Sequence, residues 1–210
     1  MINNPNKPEV VTNSESDRIA VLNSYKVLDT PFDPSFDNIT RLASKLFNAP
    51  LAMINFVDEN RIWSKSHIGS DIEVYNRVKG FCSSAILDVV PYIIYDASID
   101  PRSIDHPLVT QKSGIRFYAG IPLCVQGKYN LGTLCLIDFN PRPHLNDHEL
   151  DTLKLLAKMA VDALELHARN INIQPINDQF SEQHFRSLFH QTSVGVIMGD
   201  AVTAKFTETN

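Results

Sequence analysis

The sequence predicts an α+β domain built on an antiparallel sheet, and three observations predict it. Ile115 to Pro141 reads as two long strands joined by a short turn. Leu51 to Ile68 reads as a second hairpin around the polar turn Asp58-Glu59-Asn60. Segments with apolar residues at helical spacing flank these strands towards both ends of the chain.

The elements follow in order. Met1 to Asn13 is rich in asparagine and proline and poor in apolar residues, which predicts a disordered tail. Thr12 and Glu15 have capping-box spacing, and Ile19, Leu22 and Tyr25 follow at helical steps, so a helix is expected over 14–28. Asp33-Pro34 is an N-cap with proline at the first helical position. The helix it opens carries Phe36, Ile39, Leu42, Ala43 and Leu46 as an apolar stripe. After the first hairpin, residues 69–79 read as irregular. Phe81 to Leu87 reads as a short helix with Ser83 or Ser84 near its start, and Tyr92 to Tyr95 as a brief strand. Asp96 to Gly114 is a long connection, of a length more often functional than idle.

In the strand that follows, Ile115, Phe117, Ala119, Ile121, Leu123 and Val125 share one face, and Arg116, Tyr118, Gly120, Pro122 and Cys124 the other. Its partner is apolar on both faces, with Leu131, Thr133, Cys135 and Ile137 opposed to Gly132, Leu134 and Leu136; such a strand is central and covered on both sides. The Arg116/Tyr118 face is the less filled one and is where a ligand is expected. Asn146 or Asp147 caps a last helix running to Arg169, whose stripe is rich in alanine and allows close packing on another helix or a second copy. Residues 171–180 hold Pro175 and read as a linker. Residues 181–210 read as one more helix and two short strands, at 194–198 and 204–209.

Composition narrows the function. The chain has 210 residues, 43% of them hydrophobic and 20% charged, with a net charge of −5. No basic run marks a nucleic-acid or membrane-surface footprint, and no apolar run is long enough to span a bilayer. No secretory plan opens the chain, so a cytoplasmic location is expected. The three cysteines, Cys82, Cys124 and Cys135, form no CxxC pair; buried free thiols are expected, with neither zinc nor disulfide. No Ser/His/Asp constellation, glycine-rich phosphate loop or His-Glu-x-x-His motif is present.

Residues 16–169 resemble the bacterial GAF sensory domain. The resemblance rests on RIAVLNSYKVLDTPFDPSFDNITRLASKLFNAPLAMINFVDENRIWSKSHIG, FCSSAIL, DASIDPRSIDHPLVTQKSGIRFYAGIPL and LGTLCLIDFNPR, in the family's order and spacing. It implies a central antiparallel sheet of five or six strands, with terminal helices on one face and loops and short helices that can enclose a ligand on the other. Residues 14–170 would be that domain. The stretch HFRSLFHQTSVGVIMGDAVTAKFTETN resembles the opening of a PAS domain, cut short. In such proteins the domain precedes diguanylate cyclase, phosphodiesterase or histidine-kinase modules. The function implied is regulatory: a non-enzymatic input module of a signalling protein, most readily one of cyclic di-GMP turnover, homodimeric through its terminal helices. A histidine-kinase input, a ligand-free dimerisation scaffold and a cysteine-dependent methionine sulfoxide reductase are the alternatives.

The candidate pocket comprises Arg116, Tyr118, Cys82, Phe81, Asp96 and Cys135. An arginine at position 116 either clamps a carboxylate or phosphate or pairs with Asp96, Asp100 or Asp138. Tyr118 offers its hydroxyl to a ligand or to a backbone carbonyl. Cys82 lies at a helix entry, where a thiol pKa falls, so redox sensing stands beside a packed thiol. Bilin-binding relatives have Cys followed by His; here Ser83 follows, and no chromophore or other cofactor is expected. For the reductase reading, Cys124 and Cys135 lie on neighbouring strands. His106 reads as a solvated loop residue, and His144 and His148 are not expected to bind metal. Asn55-Phe56-Val57-Asp58-Glu59 differs in spacing from the cyclic-nucleotide motif of related domains and predicts no cyclic nucleotide.

Overall fold

A computed structural model describes residues 14–77 and 80–191, with side chains described through Ile171. Six strands form one sheet in the order β3-β2-β1-β6-β5-β4, every neighbouring pair antiparallel. Contacts divide the chain into two units, Met1–Arg169 and Asn170–Asn210. The sheet belongs to the first.

Helix α1 (Glu15–Ser24) starts at Ser14, whose hydroxyl accepts from Asp17 N. Thr12, the cap expected from sequence, lies outside the described residues. The helix also stops short of Leu28, because Lys26 adopts φ 49° and turns the chain. Helix α2 (Pro34–Leu46) has the predicted Asp33 cap, with Pro34 in the first turn. Phe36, Ile39 and Ala43 are buried, but Leu42 and Leu46 are exposed. The buried face is completed instead by Asp37 and Thr40. Thr40 Oγ1 meets Ser66 Oγ at 2.7 Å, and Ser66 donates to Asp37, so the helix is fastened to the sheet by hydroxyls.

Strands β1 (Leu51–Val57) and β2 (Arg61–Ile68) form the predicted hairpin. Its register slips between Ile54 and Asn55, leaving Lys65 as the extra residue of β2. Strand β3 (Val74–Asn76) falls in a stretch read as irregular; it is a three-residue edge strand, too short to show a period. Helix α3 (Phe81–Ala85) begins behind Gly80, so Ser83 and Ser84 lie inside it rather than at its cap. Strand β4 (Tyr92–Ile94) is the other edge. The long connection contains one helical turn, α4 (Pro107–Thr110), capped by His106.

Strands β5 (Phe117–Val125) and β6 (Tyr129–Asp138) are the central hairpin, turned through Gln126 and Gly127, both at positive φ. The predicted faces of β5 hold from Phe117 onward; Ile115, expected on the Phe117 face, precedes the strand and packs in the core on the opposite side. Phe117, Ala119, Ile121, Leu123 and Val125 join the core under the helices, and Tyr118 joins a second core on the opposite face. In β6 one expectation fails. Leu123 pairs with Gly132 and Cys124 with Asn130, so Leu131 is bulged. The bulge breaks the alternation and turns Leu131 into the helix-side core with Leu134 and Leu136, while Cys135 and Ile137 face the other side.

Helix α5 (Asp147–Gln191) opens with a reciprocal box: Glu149 N donates to Asn146 Oδ1, and Asn146 N donates to Glu149 Oε2. Leu153, Leu156, Ala157, Ala160 and Leu164 complete the helix-side core, and Tyr25 OH donates to Glu165. Leu166, expected on the buried stripe, is 54% exposed. The backbone stays helical through 171–180, where a linker was expected. Pro175 removes one backbone bond, and no glycine adds a further break. The helix expected from Ser181 is part of α5, and the strands expected at 194–198 and 204–209, which carry the rest of the PAS resemblance, lie outside the described residues.

Candidate functional site

The sheet face opposite α1, α2 and α5 carries a cavity of about 310 Å³. Its walls are mainly aliphatic and aromatic: Leu51, Ile62, Leu108, Ile115 and Ile137 with Phe81. Exposed Ile72, Gln111, Ser113 and Phe139 lie around its mouth. Met53, Asn55, Cys82 and Tyr118 form its buried floor. The local causes are simple. Alternation along β1, β5 and the regular part of β6 sends Met53, Asn55, Tyr118 and Cys135 to this face, and α3 brings Cys82 over them.

The floor is a sulfur-rich polar cluster. Asn55 Nδ2 lies 3.4 Å from Cys82 Sγ, 3.6 Å from Cys135 Sγ and 3.8 Å from Met53 Sδ. Tyr118 OH donates to Cys82 Sγ at 3.4 Å, and its ring packs on Phe81 at 5.1 Å. Asn55 Oδ1 and Thr133 Oγ1 are buried without a hydrogen-bond partner. The Cys135 thiol, as hydrogen-bond donor, is the largest influence drawing Cys82 below its ordinary pKa; Tyr118 and Asn55 act in the same sense, and together they outweigh burial. Thr133 stands close enough to favour the Cys82 thiolate, but its hydroxyl does not reach hydrogen-bond geometry. The same contact with Cys82, with burial, pushes Cys135 up, and burial pushes Tyr118 up. The cause of the Cys82 shift is thus this donor set; α3 has only five residues, and its terminus is not the source.

Of the six residues proposed from sequence, Phe81, Cys82 and Tyr118 line the cavity and Cys135 lies fully buried beside Cys82. Arg116 and Asp96 do not line it. The Arg116 guanidinium donates to Val109 O and Ile115 O, bracing the long connection. It clamps no pocket and meets none of the three acids considered for it. Asp96 accepts from Ser98 N and Oγ, Asp100 pairs with Arg102, and Asp138 with Arg142. Nor do Cys124 and Cys135 form a pair: Cys124 is outside the cluster, and Cys82 is the partner. His106 is not a solvated loop residue. Its ring stacks on Phe81 at 4.4 Å, its Nδ1 accepts from Leu108 N, and burial lowers its pKa.

Sequence reasoning passed over Asn55 and Met53 as floor residues. The signal for Asn55 was present: it is the one polar side chain in the strand LAMINFV, at an inward position. Met53 gives no such signal. Among the described residues, no three His, Cys, Asp or Glu gather as a metal site, and no helix is long and apolar enough to cross a membrane.

Comparisons with known proteins agree with this architecture. The chain is 36% identical over 147 residues to the cyclic di-GMP phosphodiesterase PA2567 of Pseudomonas aeruginosa, covering 70% of this chain. It spans only a quarter of that relative's length. The GAF domain region of a Geobacter sulfurreducens protein matches with a TM-score of 0.52 at 22% identity, covering 72% of this chain and 97% of the other. The free methionine-R-sulfoxide reductase of Neisseria meningitidis, solved with its substrate, matches with a TM-score of 0.52 at 17% identity, over 75% and 96%. At these identities the two structures speak for the fold alone. The sequence profile of the GAF domain matches residues 31–164, and the chain belongs to the GAF domain family.

Proposed function

We propose that this chain is the sensory input module of a signalling protein and that it holds a small ligand in the cavity above Asn55 and Tyr118. The observation that carries this reading is the cavity itself: about 310 Å³, apolar-walled, with an unpartnered buried acceptor, Asn55 Oδ1, at its floor. Such a site suits a small molecule with an apolar body and one hydrogen-bond donor. The ligand-binding residues are then Phe81, Cys82, Tyr118 and Asn55, with Cys135 behind them.

A route for the signal exists in β6. Cys135 and Ile137 face the cavity core, while Leu134 and Leu136 pack in the same core as Leu153 and Leu156 of α5. A ligand acts on α5 only if it favours one of two arrangements of that helix. The relative from Pseudomonas aeruginosa favours cyclic di-GMP turnover as the output of the full-length protein, with a histidine kinase as the alternative. The module works in the cytoplasm and has no catalytic turnover of its own.

A thermal-shift screen of metabolites and nucleotides tests the reading, run on the wild type and on Ile137→Trp and Met53→Phe, which fill the cavity. At least one compound raises the wild-type melting temperature and leaves the folded, filled variants unmoved. If no compound shifts the wild type, the ligand reading fails.

A second reading has its own observation. Leu155, Met159 and Leu166 lie exposed on α5 and favour a homodimer through the terminal helices. Light scattering of Leu155→Lys with Met159→Lys tests it: a change from dimer to monomer is expected, and an unchanged mass removes this helix from the interface.

A further inference from the structure

Two of the three cysteines stand together, Cys82 at the cavity floor and Cys135 behind it, though they are more than fifty residues apart in the chain. Ordinary packing explains a buried thiol but not this arrangement. Both sulfurs lie within reach of one amide, Asn55 Nδ2, at 3.4 and 3.6 Å. Cys82 also receives the Tyr118 hydroxyl at 3.4 Å. Donors that converge on one sulfur stabilise its anion, the nucleophilic form. The two positions are unequal. Cys82 lines the cavity, while Cys135 is wholly buried and is not part of the lining. An oxidant entering by the mouth therefore reaches Cys82 first, and Cys135 stands behind it.

We propose that Cys82 and Cys135 form a hydroperoxide-oxidisable dithiol, with Cys82 the attacking and Cys135 the resolving sulfur. The Cys82 thiolate attacks the terminal peroxide oxygen. The O–O bond breaks, Cys82 becomes a sulfenic acid, and the leaving alkoxide or hydroxide takes a proton to become an alcohol or water. The Cys135 thiol then attacks the Cys82 sulfur. A Cys82–Cys135 disulfide forms, the S–O bond breaks, and the hydroxyl leaves with the Cys135 proton as water. The two thiols together lose two electrons and two protons, and one hydroperoxide is reduced. Asn55 Nδ2 holds both sulfurs before the reaction, and Tyr118 OH hydrogen-bonds the attacking one. The depressed pKa of Cys82 and the raised pKa of Cys135 match these roles. Cys124, outside the cluster and pushed up by burial, takes no part. This dithiol does not depend on the cavity's having a regulatory ligand.

The test uses the reduced 210-residue chain. It is exposed to hydrogen peroxide or, separately, to free methionine sulfoxide, then denatured and alkylated, and read by intact mass and peptide mapping. With peroxide the protein loses the mass of two hydrogen atoms, only Cys124 alkylates, and a peptide joins Cys82 to Cys135. In Cys135→Ser the reaction stops at a Cys82 sulfenic acid that dimedone traps; in Cys82→Ser, Cys135 stays reduced. Where a variant does not fold, the wild-type map decides alone. The proposal is overturned if the treated wild type keeps three alkylatable thiols, if the linkage involves Cys124, or if Met53 is the sulfur oxidised. It is also overturned if methionine sulfoxide forms the disulfide and peroxide does not.

Discussion

Arg142 donates to both its acid and its neighbours' backbone: Nη2 reaches Asp138 at 2.6 Å while Nη1 reaches Phe47 O at 2.6 Å. Nη2 also holds Asn48 O at 2.7 Å. One guanidinium thus ties the end of β6 to the turn between α2 and β1. Replacing it takes the cation from a buried carboxylate, which keeps the Asn140 N–H as a donor, and takes the guanidinium donors from two carbonyls. Arg142→Ala is expected to lower unfolding free energy by about 3 kcal/mol in a denaturant titration. The same site sets an acid limit. Burial pushes the Asp138 carboxyl up, but the Asn140 N–H and Arg142 outweigh it and hold it below its ordinary value. Its contribution is complete above the ordinary carboxylate range and is lost as pH falls through the depressed folded value. The loss of stability below about pH 4 is therefore expected to be smaller in Arg142→Ala than in the wild type.

Gly132 sits where two strands approach closely. A Cβ placed on it would lie 2.0 Å from Asn55 O, which is backbone and cannot yield. Gly132→Ala is expected to cost more than about 3 kcal/mol, or to prevent folding, read by thermal or chemical denaturation.

Tyr118 OH donates to Cys82 Sγ, so the hydroxyl favours the thiolate. Tyr118→Phe is expected to raise the Cys82 pKa and move the pH profile of its alkylation to higher pH. The stability cost should be only about 1 kcal/mol, because the ring packing on Phe81 is kept. An unchanged profile would show that this hydroxyl does not tune the sulfur.

His106 accepts from Leu108 N through Nδ1, which requires that nitrogen unprotonated. Burial lowers the imidazole pKa, so the unfolded state binds a proton first as pH falls. The contribution of this cap is complete above the ordinary imidazole value and fades at lower pH. Protection of the Leu108–Thr110 amides against exchange, relative to their intrinsic rates, is expected to fall below about pH 6.5, and His106→Asn, which keeps an acceptor, to flatten that dependence.

Much of this was legible in the sequence because period and caps are local. The alternation in β5 announced that Tyr118 opposes Phe117, and Asp33-Pro34 and Asn146 announced two helix starts. What depends on one extra residue was not legible. Leu131 looked like a member of the Thr133, Cys135 face until the pairing showed it bulged. Arg116 followed its strand's parity in expectation, but it precedes β5, and its long side chain turned to nearby carbonyls instead. The pairing of Cys82 with Cys135 joins elements far apart in the chain, and no spacing rule reports that.

The bulge at Leu131 separates two registers within one strand. From Gly132 onward β6 keeps step with β1 and positions the sulfur cluster; before it, Asn130 and Tyr129 keep step with the far end of β5. Sequence change near the Gln126–Lys128 turn can therefore be absorbed before it reaches Thr133 and Cys135. The outer loop of the hairpin is free to diverge among descendants of this gene while its inner half stays in frame, a division of tolerance along a single strand.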